Sequence, residues 1–317
     1  MASPRRTSVS GWGSRVLFIF LDGVGIGPPD PRINPFLKAH LPNLRNILGG
    51  PPPHLDQAES GNGQARAFPL DPLLGVEGTP QSGTGQTALL TGENAPLLFG
   101  RHFGPWVPVA LRPMLLQRNL LARARARSIE CAFANAYPTR FIDAPWPRRP
   151  AAPPLAAKAA GLLRRHEDAL ARGEAVSSEI VNTAWRTRLG LTRLPDITPR
   201  EAGRNLAAIV ETARLTFFAH YSTDLAGHRM LMEEGVEALE RVDAFLGGLL
   251  EALPPGTLTV LASDHGNIED ITSGHTRNPT LAVLMGPRAE RLREGLSRIT
   301  DLPAMVLRYL EEGEGGS

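Results

Sequence analysis

The chain has 317 residues, 42% hydrophobic and 21% charged, and this composition excludes a wholly disordered protein. Its 34 basic and 32 acidic residues nearly cancel, so we do not expect the dense positive surface that nucleic-acid binding needs. The single cysteine, Cys131, excludes an intramolecular disulfide and a thiolate metal cluster and favours a reducing compartment. No apolar run approaches the ~20 residues that span a bilayer. We therefore expect a cytoplasmic protein with no membrane partner; the composition indicates no oligomeric state.

Short apolar runs rich in β-forming residues recur along the chain and predict buried strands at 16–21, 215–219, 258–262 and 281–285, with a less regular run at 129–135. Helical patterns separate them. Thr198, Pro199 and Glu201 together are typical of a helix start, and a stripe of apolar residues follows over 236–250. The alternation predicts an α/β fold with a doubly wound, mostly parallel sheet and helices on both faces.

The stretch at 143–197 interrupts this alternation. It begins with several prolines, continues through a segment rich in alanine and arginine, and ends near Pro195. We interpret it as a small insertion or cap on a core formed by 15–142 and 198–317, with residues 1–14 as a flexible tail. The alternative is an ordinary connection between a strand and a helix, extended by surface helices.

Carboxylate and imidazole side chains follow several of the predicted strands. In doubly wound sheets, ligands bind at the carboxyl ends of the strands, so we expect these groups to meet at one edge. The residues concerned are Asp22, Asp224, His228, Asp264, His265 and His275.

Aspartate and histidine together form an oxygen and nitrogen ligand set that suits Zn²⁺ or Mn²⁺. Asp224 and His228 are four residues apart, so on a helix they face the same way and can bind one ion. Adjacent Asp264 and His265 are expected to diverge, one towards each of two neighbouring ions. Two such ions stabilise the attacking and leaving oxygens of an in-line phosphoryl displacement.

A candidate nucleophile lies in the segment GTPQSGTGQTALL at 78–90, where small residues precede a predicted helix. The free N–H groups of a helix start can hold a phosphoryl oxygen while Ser82 or Thr84 attacks. The alternative is a surface loop with an ordinary helix cap. The segment is not a Walker A loop, because no Gly-Lys-Ser/Thr sequence follows. Arg277, two residues after His275, is a candidate for binding the phosphate or carboxylate of a substrate.

These motifs resemble the metalloenzyme branch of the alkaline phosphatase superfamily, which includes cofactor-independent phosphoglycerate mutase and phosphopentomutase. The resemblance covers roughly 14–100 and 205–310, and its most specific part is SDHGN with the downstream histidine. The motifs are LDGVG (Asp22), QSGTGQTALLTG (Ser82), STDLAGH (Asp224, His228), SDHGN (Asp264, His265) and SGHTRNP (His275).

The resemblance implies that two divalent ions, manganese or zinc, are bound. One would be held by Asp224, His228 and His275. The other would be held by a set that includes the nucleophile: Asp22, Asp264, His265 and Ser82. Ser82 takes the nucleophile's place because Gly85 and Gln86 follow it at the family spacing, with Thr84 as second choice.

The resemblance also implies a phosphoryl hydrolase or transferase that acts on a small phosphorylated metabolite through a phosphoserine. The mutases carry a large cap, whereas the 143–197 segment has only about 55 residues, and this favours hydrolysis. Gln86 stands where the mutases commonly have histidine. A phosphomutase, or a metal-binding homologue without activity, is the alternative.

Overall fold

A seven-stranded sheet forms the centre of the computed structural model, which describes residues 14–142 and 148–313. The strands are β1 (Arg15–Leu21), β2 (Ser60–Gly61), β3 (Ala65–Leu70), β4 (Cys131–Phe133), β5 (Leu215–His220), β6 (Thr257–Ala262) and β7 (Thr280–Met285). Their order across the sheet is β2-β3-β7-β6-β1-β5-β4.

Most strands run in the same direction. β4, β5, β1 and β6 pair in parallel, and β7 is antiparallel to both β6 and β3. β3 therefore runs with the parallel group and β2 runs against it, so five of the seven strands share one direction. The predicted α/β fold, with a doubly wound and mostly parallel sheet, is confirmed.

Helices cover both faces of the sheet. They are α1 (Pro42–Leu48), α2 (Ser82–Thr91), α3 (Ala95–Phe99), α4 (Arg112–Arg118), α5 (Leu120–Arg125), α6 (Thr139–Ile142), α7 (Ala152–Ala159), α8 (Glu167–Ala171), α9 (Thr183–Thr187), α10 (Pro199–Val210), α11 (Ser222–Arg229), α12 (Met232–Ala252), α13 (Ala289–Arg293) and α14 (Leu302–Glu312). Short 3₁₀ turns lie at Pro35–Leu37, Val109–Leu111 and Ile299–Asp301. None of these α-helices has both the length and the hydrophobicity needed to cross a membrane.

Strand β1 contributes to two hydrophobic cores because successive side chains of a strand point to opposite faces. Phe18 and Phe20 pack in one core with α2, α5, α7 and α14. Leu17 and Ile19 pack in the other with α1, α10 and α12. A continuous apolar run is therefore needed in this strand, which explains why the sequence pattern identified it.

The strands predicted at 16–21, 215–219, 258–262, 281–285 and 129–135 correspond to β1, β5, β6, β7 and β4. Strands β2 and β3 were not predicted. β3 contains Pro69, which argues against a central strand because proline donates no hydrogen bond. It is tolerated because β2 is only two residues long and pairs with Arg66 and Ala67, leaving Pro69 beside an open edge.

The described part of the 143–197 segment has two kinds of packing. Helix α7 packs in the same core as α2, α4 and α5, through Leu155 and Ala156. Helices α8 and α9 contribute Leu170 and Trp185 to a small separate cluster. Residues 143–147, like residues 1–13 of the expected tail, lie outside the described residues. The division into core and cap stays a prediction.

The start of α10 has the hydrogen bonds that its sequence predicts. Thr198 Oγ1 accepts from Glu201 N at 3.2 Å, and Glu201 Oε2 accepts from Thr198 N at 2.7 Å. This capping box fixes the helix that covers β5.

We expect Thr198→Ala to lower the free energy of unfolding by about 1 kcal/mol, because the Glu201 N–H loses the side-chain oxygen that accepts from it. Urea denaturation measures the change. Thr192→Ala, at an exposed loop threonine, is the control and should leave the midpoint unchanged. Equal midpoints for both variants would show that the box contributes nothing to stability.

Candidate metal centre

Two buried aspartates lie side by side at the carboxyl ends of adjacent strands. Phe20 of β1 pairs with Ala262 of β6, and two residues further along each strand the register places Asp22 beside Asp264. Their exposed fractions are 6% and 0%. Asp22 Oδ1 and Asp264 Oδ2 have no hydrogen-bond partner. Two unsatisfied carboxylate oxygens in one buried place are unfavourable unless a cation is shared between them.

His265 lies between these carboxylates. Its Nε2 is 3.3 Å from Asp22 Oδ1 and 3.6 Å from Asp264 Oδ2. The side chains of Asp264 and His265 therefore converge, contrary to the expectation that they diverge, and which of two ions each would bind stays a prediction. Beyond β6 the chain leaves the extended conformation, so the alternation of a strand no longer separates neighbouring side chains.

A second cluster forms around Asp224. Helix α11 places Asp224 and His228 on one face, as their spacing predicts, with Asp224 Oδ2 3.3 Å from His228 Nε2. His275 Nε2 lies 3.4 Å from Asp224 Oδ1 and 3.0 Å from His228 Nε2. His275 Nδ1 lies 3.0 Å from the Pro80 carbonyl oxygen. An Nδ1–H donated to this carbonyl leaves the Nε2 lone pair directed into the cluster, as in metal-binding histidines.

The two clusters are contiguous. The rings of His265 and His275 stack with their centroids 3.9 Å apart. One atom each from Asp22, Asp264 and His265 lie within 4.8 Å of one another, and the same holds for Asp224, His265 and His275. His265 thus belongs to both groups. The structure brings together the six carboxylate and imidazole residues singled out from the sequence, and their role as ligands stays a proposal.

Ser82 joins this centre and Thr84 does not. Ser82 is the first residue of α2, and its Oγ lies 2.9 Å from His265 Nε2. Thr84 Oγ1 instead accepts from Phe103 N at 3.1 Å and lies 3.3 Å from the Gln81 carbonyl oxygen. The geometry favours Ser82 as the nucleophile because the Thr84 hydroxyl is directed into a loop contact.

Glycines at the start of α2 allow the helix to pack closely against the neighbouring chain. A Cβ on Gly83 would lie 2.1 Å from the Trp106 carbonyl oxygen, and one on Gly85 would lie 3.0 Å from that of Asp264. The run of glycines is therefore a packing requirement at the start of α2 as well as a turn signal.

Three further residues hold the centre and were not recognised from the sequence as doing so. Gln86 Nε2 donates to Asp22 Oδ2 at 3.0 Å, and Asn267 Nδ2 donates to Asp224 Oδ1 at 2.6 Å. Glu269 is fully buried and accepts from the backbone N–H groups of Gly25 and Asn267. In the sequence, only their closeness to motif residues points to this role. Amide and glutamate side chains are common on protein surfaces, so the residue types alone indicate nothing.

The pKa values reflect a concentration of negative charge. Burial raises the pKa of Asp22 and Asp264 above the usual carboxyl range, and nearby carboxylates add to the effect. Burial alone would lower the pKa of His265, but the carboxylates of Asp264 and Asp22 outweigh it and raise the value to about 10. For Asp224, hydrogen bonds from His228 and His275 outweigh burial and hold the pKa below its usual range. Such a centre attracts a cation.

Two other residues considered from the sequence, Arg277 and His220, lie outside the cluster of candidate metal ligands. Arg277 is partly exposed and donates from Nη1 to the Gly78 carbonyl oxygen at 2.8 Å, on the loop before Ser82. His220, at the end of β5, is fully buried and its Nδ1 lies 2.8 Å from the Ser178 carbonyl oxygen. Burial lowers its pKa to about 4. His220 is therefore a packed core histidine.

Comparison with known proteins shows which family the chain is similar to. Residues 194–311 match the model of the Metalloenzyme superfamily. The resemblance to the metalloenzyme branch of the alkaline phosphatase superfamily is confirmed. The 2,3-bisphosphoglycerate-independent phosphoglycerate mutase of Paracoccus denitrificans is 32% identical over 124 residues, which is 36% of this chain and 24% of that protein. The mutase of Pseudomonas syringae pv. tomato is 29% identical over 127 residues, 37% of this chain and 25% of that protein. The match thus covers about a quarter of these relatives.

Solved structures show the same fold over nearly the whole chain. The PH0037 protein from Pyrococcus horikoshii has a TM-score of 0.57 at 13% identity, covering 95% of this chain and 98% of that one. The alkaline phosphatase from the Antarctic bacterium TAB5 has a TM-score of 0.53 at 12% identity, covering 95% and 99%. The fold is therefore alkaline-phosphatase-like.

A metalloenzyme of this fold implies a divalent metal, and the residues present fit one. The unpartnered oxygens Asp22 Oδ1 and Asp264 Oδ2 are satisfied together by a cation. His265 and His275 present Nε2 towards these clusters while each Nδ1 faces a backbone carbonyl.

We expect a divalent metal to raise the free energy of unfolding of the protein by about 2.7 kcal/mol at a hundredfold excess over Kd. Asp264→Asn should lose most of this increment. Without metal the same variant should be at least as stable as the unchanged chain, because a buried charge beside Asp22 is removed. Thermal unfolding with Mn²⁺, Zn²⁺ or a chelator measures both effects. Asp56→Asn, at an exposed aspartate, is the control; a variant and control with equal metal-induced shifts would contradict the assignment.

His220 predicts a dependence of stability on pH. Its folded-state pKa of about 4 is below the ordinary value of 6.5, so the unfolded chain binds the proton more readily and stability falls as pH falls from 6.5. Between about pH 7 and about pH 5 this group should cost about 2 kcal/mol. Urea denaturation in the presence of a chelator measures the free energy of unfolding at both pH values. In His220→Gln we expect this free energy to fall less on acidification than in the unchanged protein. His40→Gln, at an exposed histidine, should show the same fall as the unchanged protein.

Proposed function

We propose that the protein is a di-metal-dependent phosphoryl hydrolase or transferase that acts on a small phosphorylated metabolite through a phosphoserine on Ser82. The observation that carries the proposal is the position of Ser82 Oγ, 2.9 Å from His265 Nε2 at the start of a helix. A hydroxyl thus lies beside the clustered carboxylates and imidazoles on which the family likeness rests.

In this proposal Asp224, His228 and His275 hold one divalent ion, and Asp22, Asp264, His265 and Ser82 hold the other. The bound ions, manganese or zinc, would neutralise phosphoryl charge and favour the ionised form of the serine hydroxyl. Gln86 keeps Asp22 oriented and Asn267 does the same for Asp224.

The start of α2 binds the phosphoryl group. The N–H groups of Ser82 and Gly83 lie in the first turn, where the helix itself offers no acceptor, and the helix dipole favours an anion there. Arg277, on the loop contact with Gly78, is placed to form a forked contact with an anionic group of the substrate.

The reaction proceeds in two transfers. Ser82 gives up its hydroxyl proton, its Oγ forms a bond to phosphorus, and the bond from phosphorus to the ester oxygen breaks. The departing alcohol takes up a proton. In hydrolysis a water molecule then attacks phosphorus, restoring the serine and releasing inorganic phosphate; in transfer, a hydroxyl group of an acceptor takes the place of water.

Hydrolysis is favoured by the size of the 143–197 segment. Its described helices, α7 to α9, have eight, five and five residues, and α7 packs against α2 in the hydrophobic core. A segment of this length makes a smaller cap than that of the mutases, so we expect it to exclude water less completely. The names of the mutase relatives favour the second candidate, a phosphomutase. Product analysis separates the two, because only hydrolysis releases phosphate in step with substrate loss.

We expect Ser82→Ala to lower kcat for an aryl phosphate at least about 10³-fold with Mn²⁺ or Zn²⁺ present, because the attacking oxygen is lost. Acid quenching of the unchanged enzyme during turnover should trap phosphate on the Ser82 peptide, detected by mass spectrometry. Circular dichroism of Ser82→Ala is the control for folding and should match that of the unchanged enzyme. Phosphate trapped on Thr84, or full activity of Ser82→Ala, would contradict the mechanism.

A further inference from the structure

An apolar pocket of about 360 Å³ lies between the chain that follows β4 and the 143–197 segment. One wall follows β4 and includes Tyr137 and Phe141, and the opposite wall comes from the 143–197 segment and includes Trp185 and Leu189. Phe141 and Leu189 are 46% and 36% exposed, which is unusual for large apolar side chains grouped around one opening. A pocket of this size and lining is typical of small-molecule sites.

Hydrogen bonds connect the pocket to the candidate metal ligands. Ala151 lines the pocket, and the next residue, Ala152, donates its N–H to Gln86 Oε1 at 3.3 Å. The amide nitrogen of Gln86 donates to Asp22 Oδ2 at 3.0 Å. Gln86 lies one helical turn after Ser82, so the pocket wall is a single side chain away from the centre.

Two tyrosines form a second connection. Tyr221 directly follows β5, packs its ring edge-on against Phe20, and has a buried hydroxyl with no hydrogen bond of normal geometry. Burial raises the pKa of the Tyr137 hydroxyl to about 12, and that of Tyr221 is raised by burial, by Tyr137 and by the carboxylates of Asp22 and Asp264. Tyr221 therefore packs against β1 two residues before Asp22, and its hydroxyl is close to that of Tyr137 in the pocket wall.

We propose that this pocket binds the alcohol part of the substrate, and that the substrate is a phosphate monoester of an aromatic or otherwise apolar alcohol. The proposal rests on the function proposed above. With the phosphoryl group at Ser82, the alcohol part extends past Gln86 and Tyr221 into the pocket.

The lining of the pocket selects against a sugar or glycerate. Their hydroxyl groups would face the carbon surfaces of Phe141, Trp185 and Leu189 and lose hydrogen bonds to water without replacement. An aromatic ring instead gains from leaving water and from packing on Trp185. Arg149, stacked 4.2 Å above the Trp106 ring, lies at the margin and can pair with a negative substituent.

A polar recess of about 420 Å³ lies next to Gln81 and offers the alternative position for the alcohol. It is lined by Glu77, Arg101 and His102 and would suit a hydroxylated ester. The apolar pocket is favoured because it alone combines large exposed carbon surfaces with an unpartnered buried hydroxyl. The preference between apolar and hydroxylated esters distinguishes the two positions.

The experiment compares esters whose leaving groups are all primary alcohols, so that intrinsic reactivity stays similar. The Mn²⁺-loaded protein is assayed with 2-naphthylmethyl, benzyl and glycerol phosphates. We expect kcat/KM for the naphthylmethyl ester to exceed that for glycerol phosphate by about 100-fold, mainly through a lower KM. Leu189→Asp, at the exposed mouth, should reduce this ratio at least tenfold. Leu97→Asp, an exposed leucine on α3 outside the pocket, should leave the ratio unchanged.

The outcomes separate this inference from the proposed function. Ser82-dependent turnover with equal or better use of glycerol phosphate, or a ratio unaffected by Leu189→Asp, overturns the apolar-pocket proposal and leaves the function intact. If no ester is turned over, calorimetry with 2-naphthylmethyl phosphate decides. Binding that Leu189→Asp weakens supports the pocket while the function fails, and absence of binding overturns both. Circular dichroism and the metal-induced thermal shift confirm that each variant is folded.

Discussion

The sheet forces two carboxylates into one buried place, and much of the site depends on this constraint. The register between β1 and β6 places Asp22 beside Asp264 with oxygens that no protein group satisfies. Burying like charges together is unfavourable by itself, so the fold accepts a local cost that a bound cation would offset. His265 lies close to both carboxylates and to the Ser82 hydroxyl. It therefore connects the charged centre to that hydroxyl.

The hydrophobic cores on the two faces of the sheet stabilise the fold and so offset the unfavourable free energy of burying the two carboxylates together. β1 is buried on both faces and supports its neighbours through continuous hydrogen-bond ladders. Helix α2 approaches closely because Gly83 and Gly85 carry no side chain that would meet the Trp106 and Asp264 carbonyls. Gln86 on the same helix then contacts both Asp22 and the backbone of α7. The rigid core thus positions Ser82, the proposed nucleophile, and Gln86 connects α7 of the 143–197 segment to Asp22.

Nearly all of the 143–197 segment lies outside the part of the chain that matches the family model. The match to the Metalloenzyme superfamily model covers residues 194–311, whereas Trp185 and Leu189 lie before it. The relatives therefore inform the metal centre much more than the surroundings of a substrate. An apolar wall next to a centre suited to phosphoryl chemistry is consistent with a family in which loops vary around a constant sheet.

The sequence by itself determined the buried strands, the start of α10 and the residues that converge on the centre. Apolar runs, capping residues and polar groups at strand ends follow local rules that hold in any α/β sheet. Only the tertiary structure decided that Ser82 rather than Thr84 faces His265, and that His265 and Asp264 converge. It also decided that β3 tolerates Pro69 and that Gln86, Glu269 and Tyr221 surround the site. These depend on contacts between segments far apart in the chain, and no local pattern encodes which neighbour a buried side chain will meet.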